Sequence, residues 1–275
     1  MIVQGDPSDI DRFSNDIITQ APPASRIKSI DVFPAMTGEY DRFTVTESRA
    51  VNDQITEISP DIAVCDQCLY DMSSDPGRID YPFINCTNCG PRFTIIKGLP
   101  YDRPVTTMSE FAMCSKCSSE YNDIGDRRFH AQPIACNSCG PSCEFTDGMN
   151  KITGLLEIIE KTAAMIDGGG SVALKGVGGY HLACDALNDD AVMKLRTGKN
   201  RDMKPFAVMF RDMAALREYC HADANEEKEL TSWIKPVVIL RSKKPLAPHV
   251  SNGLGTTGAF LPFMPFHYLL FRKLN

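Results

Sequence analysis

Eight cysteines in four Cys-x2-Cys pairs are the residues best placed to do chemistry: Cys65 and Cys68, Cys86 and Cys89, Cys114 and Cys117, Cys136 and Cys139. Seventeen residues separate the first pair from the second, twenty-four the second from the third, and eighteen the third from the fourth. A Cys-x2-Cys turn lets two thiolates face one cation, and two such turns complete the closed tetrahedral S4 site that structural zinc prefers. The pairs also form an internal repeat. Ala63-Val-Cys-Asp-Gln-Cys68 answers Ala112-Met-Cys-Ser-Lys-Cys117, and Cys86-Thr-Asn-Cys-Gly-Pro91 answers Cys136-Asn-Ser-Cys-Gly-Pro141. The tandem order predicts two zinc ions, one on Cys65, Cys68, Cys86 and Cys89, the other on Cys114, Cys117, Cys136 and Cys139. An interleaved set, outer pairs together and inner pairs together, is the alternative.

Disulfides fit this pattern poorly, because no secretory signal precedes it and the pairing is regular. A redox Cys-x2-Cys would stand alone and lie at a helix start. Iron-sulfur ligation is the remaining rival. Gly90 and Gly140, each just past a knuckle, give the backbone freedom to turn its amides toward sulfur. His130 reads as a packing residue near a site whose four ligands are already supplied, and Cys143, Cys184 and Cys220 as idle thiols.

A second constellation is cationic. Between Lys194 and Arg211 stand six basic residues and one acid, a net +5 in a chain whose formal charge is -6. Lys199, Arg201 and Lys204 fall where a helix is expected to break at Lys204-Pro205, and cations at an element end can converge on one phosphate chain. A solvated basic helix face is the competing reading. Upstream, the strand Ser171–Lys175 runs into Gly176-Val-Gly-Gly179. The glycine spacing is not a dinucleotide fingerprint, yet a glycine turn at a strand end can bring amides close to a ligand.

The elements that must position these groups follow from periodicity. An N-terminal helix opens at Asp6-Pro7 and carries Ile10, Phe13, Ile17 and Ile18 on one face. Strands are expected over Ile27–Phe33 and 41–47, and a polar link over 49–60. Within the cysteine region only Arg92-Phe-Thr-Ile-Ile96 reads as a strand. Beyond it come a helix marked by Ile152, Leu155, Leu156, Ile159, Ala163 and Ile166, strands at Phe206–Phe210 and Pro236–Arg241, a helix at Asn225–Trp233, and a further helix opened by the Gly258–His267 stretch. The fold class expected is α+β and multidomain, with residues 1–50 as part of a small α/β domain, 51–145 as the tandem zinc region and 146–275 as an α/β unit. A length of 275 residues accommodates this division.

Composition excludes several functions. No apolar run approaches the ~20 residues of a membrane span, which places the chain in the cytoplasm and off the membrane. From Asp61 to Cys143 the net charge is -3, and two Zn(Cys)4 centres would each add -2, so this region is a poor reader of nucleic acid.

The motif order resembles the HypF family of hydrogenase-maturation carbamoyltransferases. The residues that carry the resemblance are Asn85-Cys-Thr-Asn-Cys-Gly-Pro-Arg-Phe-Thr-Ile-Ile96, Asp126-Arg-Arg-Phe-His-Ala-Gln-Pro133, Gly178-Gly-Tyr-His-Leu-Ala-Cys-Asp-Ala186 and the Lys-x-Arg-x-x-Lys run from Lys199 to Lys204. The resemblance implies a ferredoxin-like acylphosphatase half in 1–50, C4 zinc fingers in 51–145 and the first part of a YrdC-like domain in 146–275. It implies ATP and carbamoyl phosphate as substrates, a carbamoyl adenylate, and transfer to the C-terminal cysteine of a HypE-like acceptor. Lys175, Lys199, Arg201 and Lys204 match the positions that would hold the nucleotide, and the catalytic residues stay unassigned. It also places the acylphosphatase arginine loop before Met1 and the transfer domain beyond Asn275, so a chain that binds zinc without turnover is expected. The first zinc loop is one residue shorter than the family's usual eighteen. A zinc-scaffolded interaction module and a threonylcarbamoyl-adenylate synthase-like tRNA-modification enzyme are the alternatives.

Overall fold

The computed structural model describes residues 1–21, 25, 27–35, 42, 44 and 60–275. The chain divides into two compact units, Met1–Glu57 and Ile58–Asn275. In the first, α1 (Pro7–Thr19) starts where Pro7 needs no amide partner, with Asp9 in the positively polarised first turn. None of its residues is buried. Residues 27–33 are not a strand; with polar Lys28, Ser29 and Asp31 they offer little continuous apolar face. Most of the strand expected at 41–47 and most of the 49–60 link lie outside the described residues.

The second unit opens on two helices that the sequence concealed, α2 (Asp66–Ser74) and α3 (Ser115–Asn122), each beginning just after the first cysteine of a knuckle. Both are short and polar, so periodicity gave no signal. The stretch 92–96 is not a strand but a 3-10 turn over Phe93–Ile95, followed by an isolated antiparallel bridge from Ile96 to Thr106. Two hairpins follow with a helix between them: β1 (Phe145–Thr146) with β2 (Lys151–Ile152), α4 (Leu155–Asp167), and β3 (Val172–Lys175) with β4 (Tyr180–Ala183). Gly169, at φ 76°, ends α4, and Gly170 N–H donates to Met165 O at 2.8 Å, closing the last turn as a left-handed glycine cap does. The strand expected at Ser171–Lys175 forms as β3, with Val172 its one buried residue.

The remainder is one mixed sheet with helices. Its elements are α5 (Asp189–Gly198), β5 (Ala207–Met209), α6 (Met213–Tyr219), β6 (Cys220–His221), α7 (Ala224–Thr231), β7 (Val238–Ser242), the single turn α8 (Pro248–Ser251), β8 (Thr256–Phe260) and α9 (Pro265–Phe271). The strand order is β5-β8-β7-β6, with β5 parallel to β8 and the other pairs antiparallel. The Gly258 stretch thus begins as a strand and becomes a helix only at Pro265. Side-chain caps fix three helix starts: Asn188, Asp212 and Asp223, the last with Glu226 as a reciprocal capping box.

The metal region and the α/β region share a core. Val64, Cys68, Met72, Ile84, Cys86, Cys89 and Met108 pack with Ile159 of α4 and Leu269 of α9. Backbone bonds stitch the same seam, with Ala63 N–H donating to Trp233 O and Val64 N–H to Phe263 O, each at 3.0 Å. A separate cluster around Val192, Leu216, Leu230, Leu240 and Ala259 fills the space between sheet and helices. Among the described residues no helix is long and apolar enough to cross a membrane.

One buried group makes this core acid-sensitive. His267 is 1% exposed, its Nδ1 accepts from Met264 N–H at 3.5 Å, and its Nε2 has no partner among the described residues. Burial, and then the neighbouring His181, depress its pKa to about 3. A folded pKa below the unfolded value means that the unfolded chain takes up the proton first. The stabilisation is complete above the unfolded pKa and is lost as pH falls below it. Urea unfolding of the zinc-saturated chain is expected to lose about 1.4 kcal/mol more between pH ~8 and pH ~5.5 than the His267→Gln variant does. Parallel pH profiles for the two proteins would contradict this role.

Candidate metal centres and the adjoining cleft

Each repeat builds its own cysteine cluster. The sulfurs of Cys65, Cys68, Cys86 and Cys89 lie within 4.8 Å of one another, and so do those of Cys114, Cys117, Cys136 and Cys139. Sulfurs held about 2.3 Å from a central zinc stand about 3.8 Å apart along a tetrahedron's edges. The edges found are 3.6 Å for Cys65–Cys86 and 3.9 Å for Cys86–Cys89. In the second cluster they are 3.7 Å for Cys114–Cys136, 3.7 Å for Cys136–Cys139 and 3.6 Å for Cys139–Cys117. These are far from the ~2.05 Å of a disulfide. The residues therefore fit two tetrathiolate ions in the tandem arrangement. Cys65 and Cys114 do precede helices, so a helix start does not separate this chemistry from a redox pair; the gathering of four sulfurs does.

The turns around the sulfurs have distinct reasons. Gly90 adopts φ 68°, a left-handed conformation that side chains resist. Gly140 is needed instead for space, since a Cβ there would stand 1.8 Å from the Tyr81 hydroxyl. Cys65 N–H donates to Cys89 Sγ at 3.3 Å. His130 joins neither cluster; it stacks on Tyr121 at 4.9 Å and meets Phe129 edge-on at 4.5 Å.

The two clusters are braced reciprocally by arginines. Arg78 of the first repeat is fully buried and donates to Cys117 Sγ of the second at 3.4 Å, to Glu120 at 2.5 Å and to Asp75 at 2.7 Å. Arg127 of the second repeat donates to Cys68 Sγ of the first at 3.1 Å and pairs with Asp71, which Arg128 also meets. Burial alone would lower the pKa of Arg78, but Glu120, Asp75 and the Cys117 sulfur hold it above its ordinary value. Burial disfavours ionised Asp75 too, yet Lys116, the Gly77 amide and Arg78 keep its carboxyl well below the usual range. A tetrathiolate zinc centre carries net negative charge, and each arginine places a cation against the other repeat's sulfurs.

Beside the first knuckle lies a cleft of about 880 Å³. Lys175 and the turn Gly176–Gly179 form part of its wall, together with Asn85, Phe93, Cys143 and Phe266. Burial pushes the Cys143 thiol up to about 11, which suits an inert thiol. The Lys175 ammonium stands 4.9 Å from the Tyr180 ring centroid. The structure does not bring Lys199, Arg201 and Lys204 into this wall. The helix α5 ends at Gly198, earlier than expected, so Lys199 caps it and the other two sit on the loop beyond. Arg201 donates to Lys204 O at 3.3 Å and Pro205 O at 2.9 Å, with its guanidinium 5.4 Å from the Phe206 ring centroid.

The residue that shapes this loop was missed. Arg196, 5% exposed, donates to the carbonyls of Arg201, Asp202 and Lys204 and to His249 O. In sequence it looked like one more surface cation. Its place in the last turn of α5, facing the side that also carries Val192, was the available signal.

Both regions have known counterparts. The family described as HypF finger matches residues 64–96 and 113–146, and the Sua5/YciO/YrdC family, described as telomere recombination, matches 164–275. The carbamoyltransferase HypF of Rhodobacter capsulatus is 40% identical over 263 residues, 95% of this chain and 35% of that protein. The probable carbamoyltransferase HypF of Methanocaldococcus jannaschii is 40% identical over 281 residues, 99% of this chain and 36% of that protein. A crystal structure of full-length HypF in a phosphate- and nucleotide-bound form superposes with TM-score 0.89 at 44% identity, covering 98% of this chain and 36% of that one. The HypF of T. kodakarensis gives TM-score 0.82, also at 44% identity, covering 98% and 34%. The chain therefore spans about a third of the length of these relatives. Because the likeness runs through the tandem cysteine clusters and the α/β unit alike, the chain belongs to the HypF family.

Proposed function

We propose that this chain is the carbamoyl-activating segment of an ATP-dependent carbamoyltransferase. The observation that carries the reading is the joining of a HypF-type finger region to a YrdC-type α/β unit through one core, at about 40% identity to proteins named carbamoyltransferases. In this reading water hydrolyses carbamoyl phosphate to carbamate and inorganic phosphate, and a carbamate oxygen attacks the α-phosphorus of ATP. Pyrophosphate leaves, and the C-terminal cysteine thiolate of a HypE-like acceptor then displaces AMP to take the carbamoyl group. Residues 51–145 hold two structural zinc ions, residues 146–275 supply YrdC-like nucleotide contacts, and residues 1–50 belong to an acylphosphatase-like domain. Zinc on these eight cysteines shapes the fold; a closed S4 shell leaves no open position for substrate.

Lys199, Arg201 and Lys204 are assigned to the triphosphate, with Lys175 a further cation at the hairpin. A full-length HypF relative has been crystallised with phosphate and nucleotide bound, which agrees with nucleotide use in the family. Calorimetric titration of the zinc-loaded chain with ATP is expected to give one saturable site, weakened about tenfold or more by Lys199→Ala or Arg201→Ala, because charged hydrogen bonds are lost. No saturable binding, or equal binding by both variants, would overturn the assignment.

A further inference from the structure

The two cysteine repeats meet in a way that leaves each incomplete without the other. Arg78 stands in the first repeat, yet its guanidinium donates to Cys117 Sγ at 3.4 Å, to Glu120 and to Ala135 O at 3.1 Å, all in the second. Arg127 stands in the second, yet it donates to Cys68 Sγ at 3.1 Å and pairs with Asp71, both in the first. The backbone makes the same exchange. Thr87 N–H, next to Cys86, donates to Arg127 O at 3.1 Å, and Asn137 N–H, next to Cys136, donates to Gly77 O at 3.0 Å. Arg78 answers Arg127, Cys68 answers Cys117 and Asp71 answers Glu120, each 49 residues on, while Thr87 answers Asn137 at 50. Contacts in which one residue meets a second, and their counterparts meet in return, are isologous, the pattern of a two-fold dimer made here within one chain.

Such an interface couples the two ions. Without its ion a repeat has nothing to gather its four thiols, and the chain between its knuckles is not held closed. Arg78 lies between Cys68 and Cys86, and Arg127 between Cys117 and Cys136. The ion of each repeat therefore closes the loop that carries the other repeat's arginine, and also gathers the sulfurs that the other repeat's arginine reaches. With one ion only, the fully buried Arg78 either faces unassembled thiols or sits on an open loop, and a buried charge without its partners is costly. We propose that the two ions load cooperatively, so that a chain with a single ion is a minor species and metal supply switches the region between empty and full. This rests on both clusters being zinc sites and adds the coupling between them. Loss of a group that supports a metal ligand lowers metal affinity about 10–100-fold. The first ion is expected to raise affinity for the second by a similar factor, which lies within the usual range of coupling between sites.

Native mass spectrometry of the reduced chain, equilibrated in a zinc buffer that fills half of all sites, tests this. Two equal and independent sites would leave one ion on half of the chains, and two unequal ones on more than half. Only positive coupling takes that share below half, to about a quarter for tenfold coupling and about a tenth for hundredfold. A single-ion share of half or more, in a chain that takes up two ions at higher zinc, overturns the coupling and leaves the zinc sites standing. A chain that never takes up a second ion overturns both. A second measurement tests the route. In a chain whose second site is disabled by Cys114→Ser and Cys139→Ser, zinc affinity at the first cluster is expected to fall about 10–100-fold. Arg127→Met should then lower it little further, because the loop carrying Arg127 is already open. If Arg127→Met costs as much there as in the unaltered chain, the brace acts without the second ion and the coupling through it is overturned.

Discussion

Removing zinc with a strong chelator at neutral pH is expected to unfold the cysteine region and to loosen α4 and α9 with it. Few periodic segments stabilise residues 61–145 by themselves. The cluster that buries Cys68, Cys86 and Cys89 also buries Ile159 and Leu269, so the two regions cannot lose packing independently. Structural zinc contributes roughly 10–16 kcal/mol per site in small zinc folds at neutral pH, whereas a whole domain is stable by only about 5–15 kcal/mol. Loss of two ions therefore exceeds what the remaining core supplies. Amide exchange measured along the chain should show protection vanish over 61–145 and fall sharply at Ile158, Ile159 and Leu269, while Leu216 and Leu240, in the separate sheet core, keep theirs. Protection in α4 that survives chelation would show that the shared core does not couple the regions.

The second large effect is a crossed one. Arg78 belongs to the first repeat but touches a sulfur of the second cluster, and Arg127 belongs to the second repeat but touches a sulfur of the first. Arg78→Met would leave Glu120 beside a buried thiolate centre without the cation that now sits between them, while Asp75 keeps only its ion pair with Lys116. Breaking a buried ion pair on one side typically costs about 3–5 kcal/mol, and loss of a group that supports a metal ligand lowers metal affinity about 10–100-fold. The loss is expected at the cluster of Cys114, Cys117, Cys136 and Cys139, although the substitution lies in the other repeat. Arg127→Met should do the converse, and less strongly, since its side chain is 22% exposed. Cadmium-113 NMR resolves each tetrathiolate site as its own signal. In Arg78→Met the signal of the second cluster should be displaced by zinc competition first. Selective weakening of the first cluster would refute the bracing.

How much of this was legible in sequence depends on how local each contact is. The cysteine clusters were readable because each knuckle is made by residues three apart, and the repeat marked which knuckles belong together. The arginine braces were not, because Arg78 and Cys117 lie 39 residues apart and Arg127 and Cys68 lie 59 apart. Yet the signal existed: Arg78 and Arg127 are separated by the same 49 residues as Cys68 and Cys117. Extending the repeat beyond the cysteines would have paired them. The Phe93–Ile95 turn misled because its hydrophobic residues resemble a buried strand, while their side chains line a cleft. The start of β8 was concealed by Gly258 and by the prolines that follow, which belong to the turn into α9.

The tandem assignment of the eight sulfurs underlies both the braces and the shared core. Anomalous diffraction at the zinc edge, on crystals of the zinc-loaded chain, tests it most directly. The expected result is two zinc ions, each about 2.3 Å from four sulfurs, with Cys65, Cys68, Cys86 and Cys89 around one and Cys114, Cys117, Cys136 and Cys139 around the other. A single ion, or sulfurs of both repeats in one coordination shell, would contradict it.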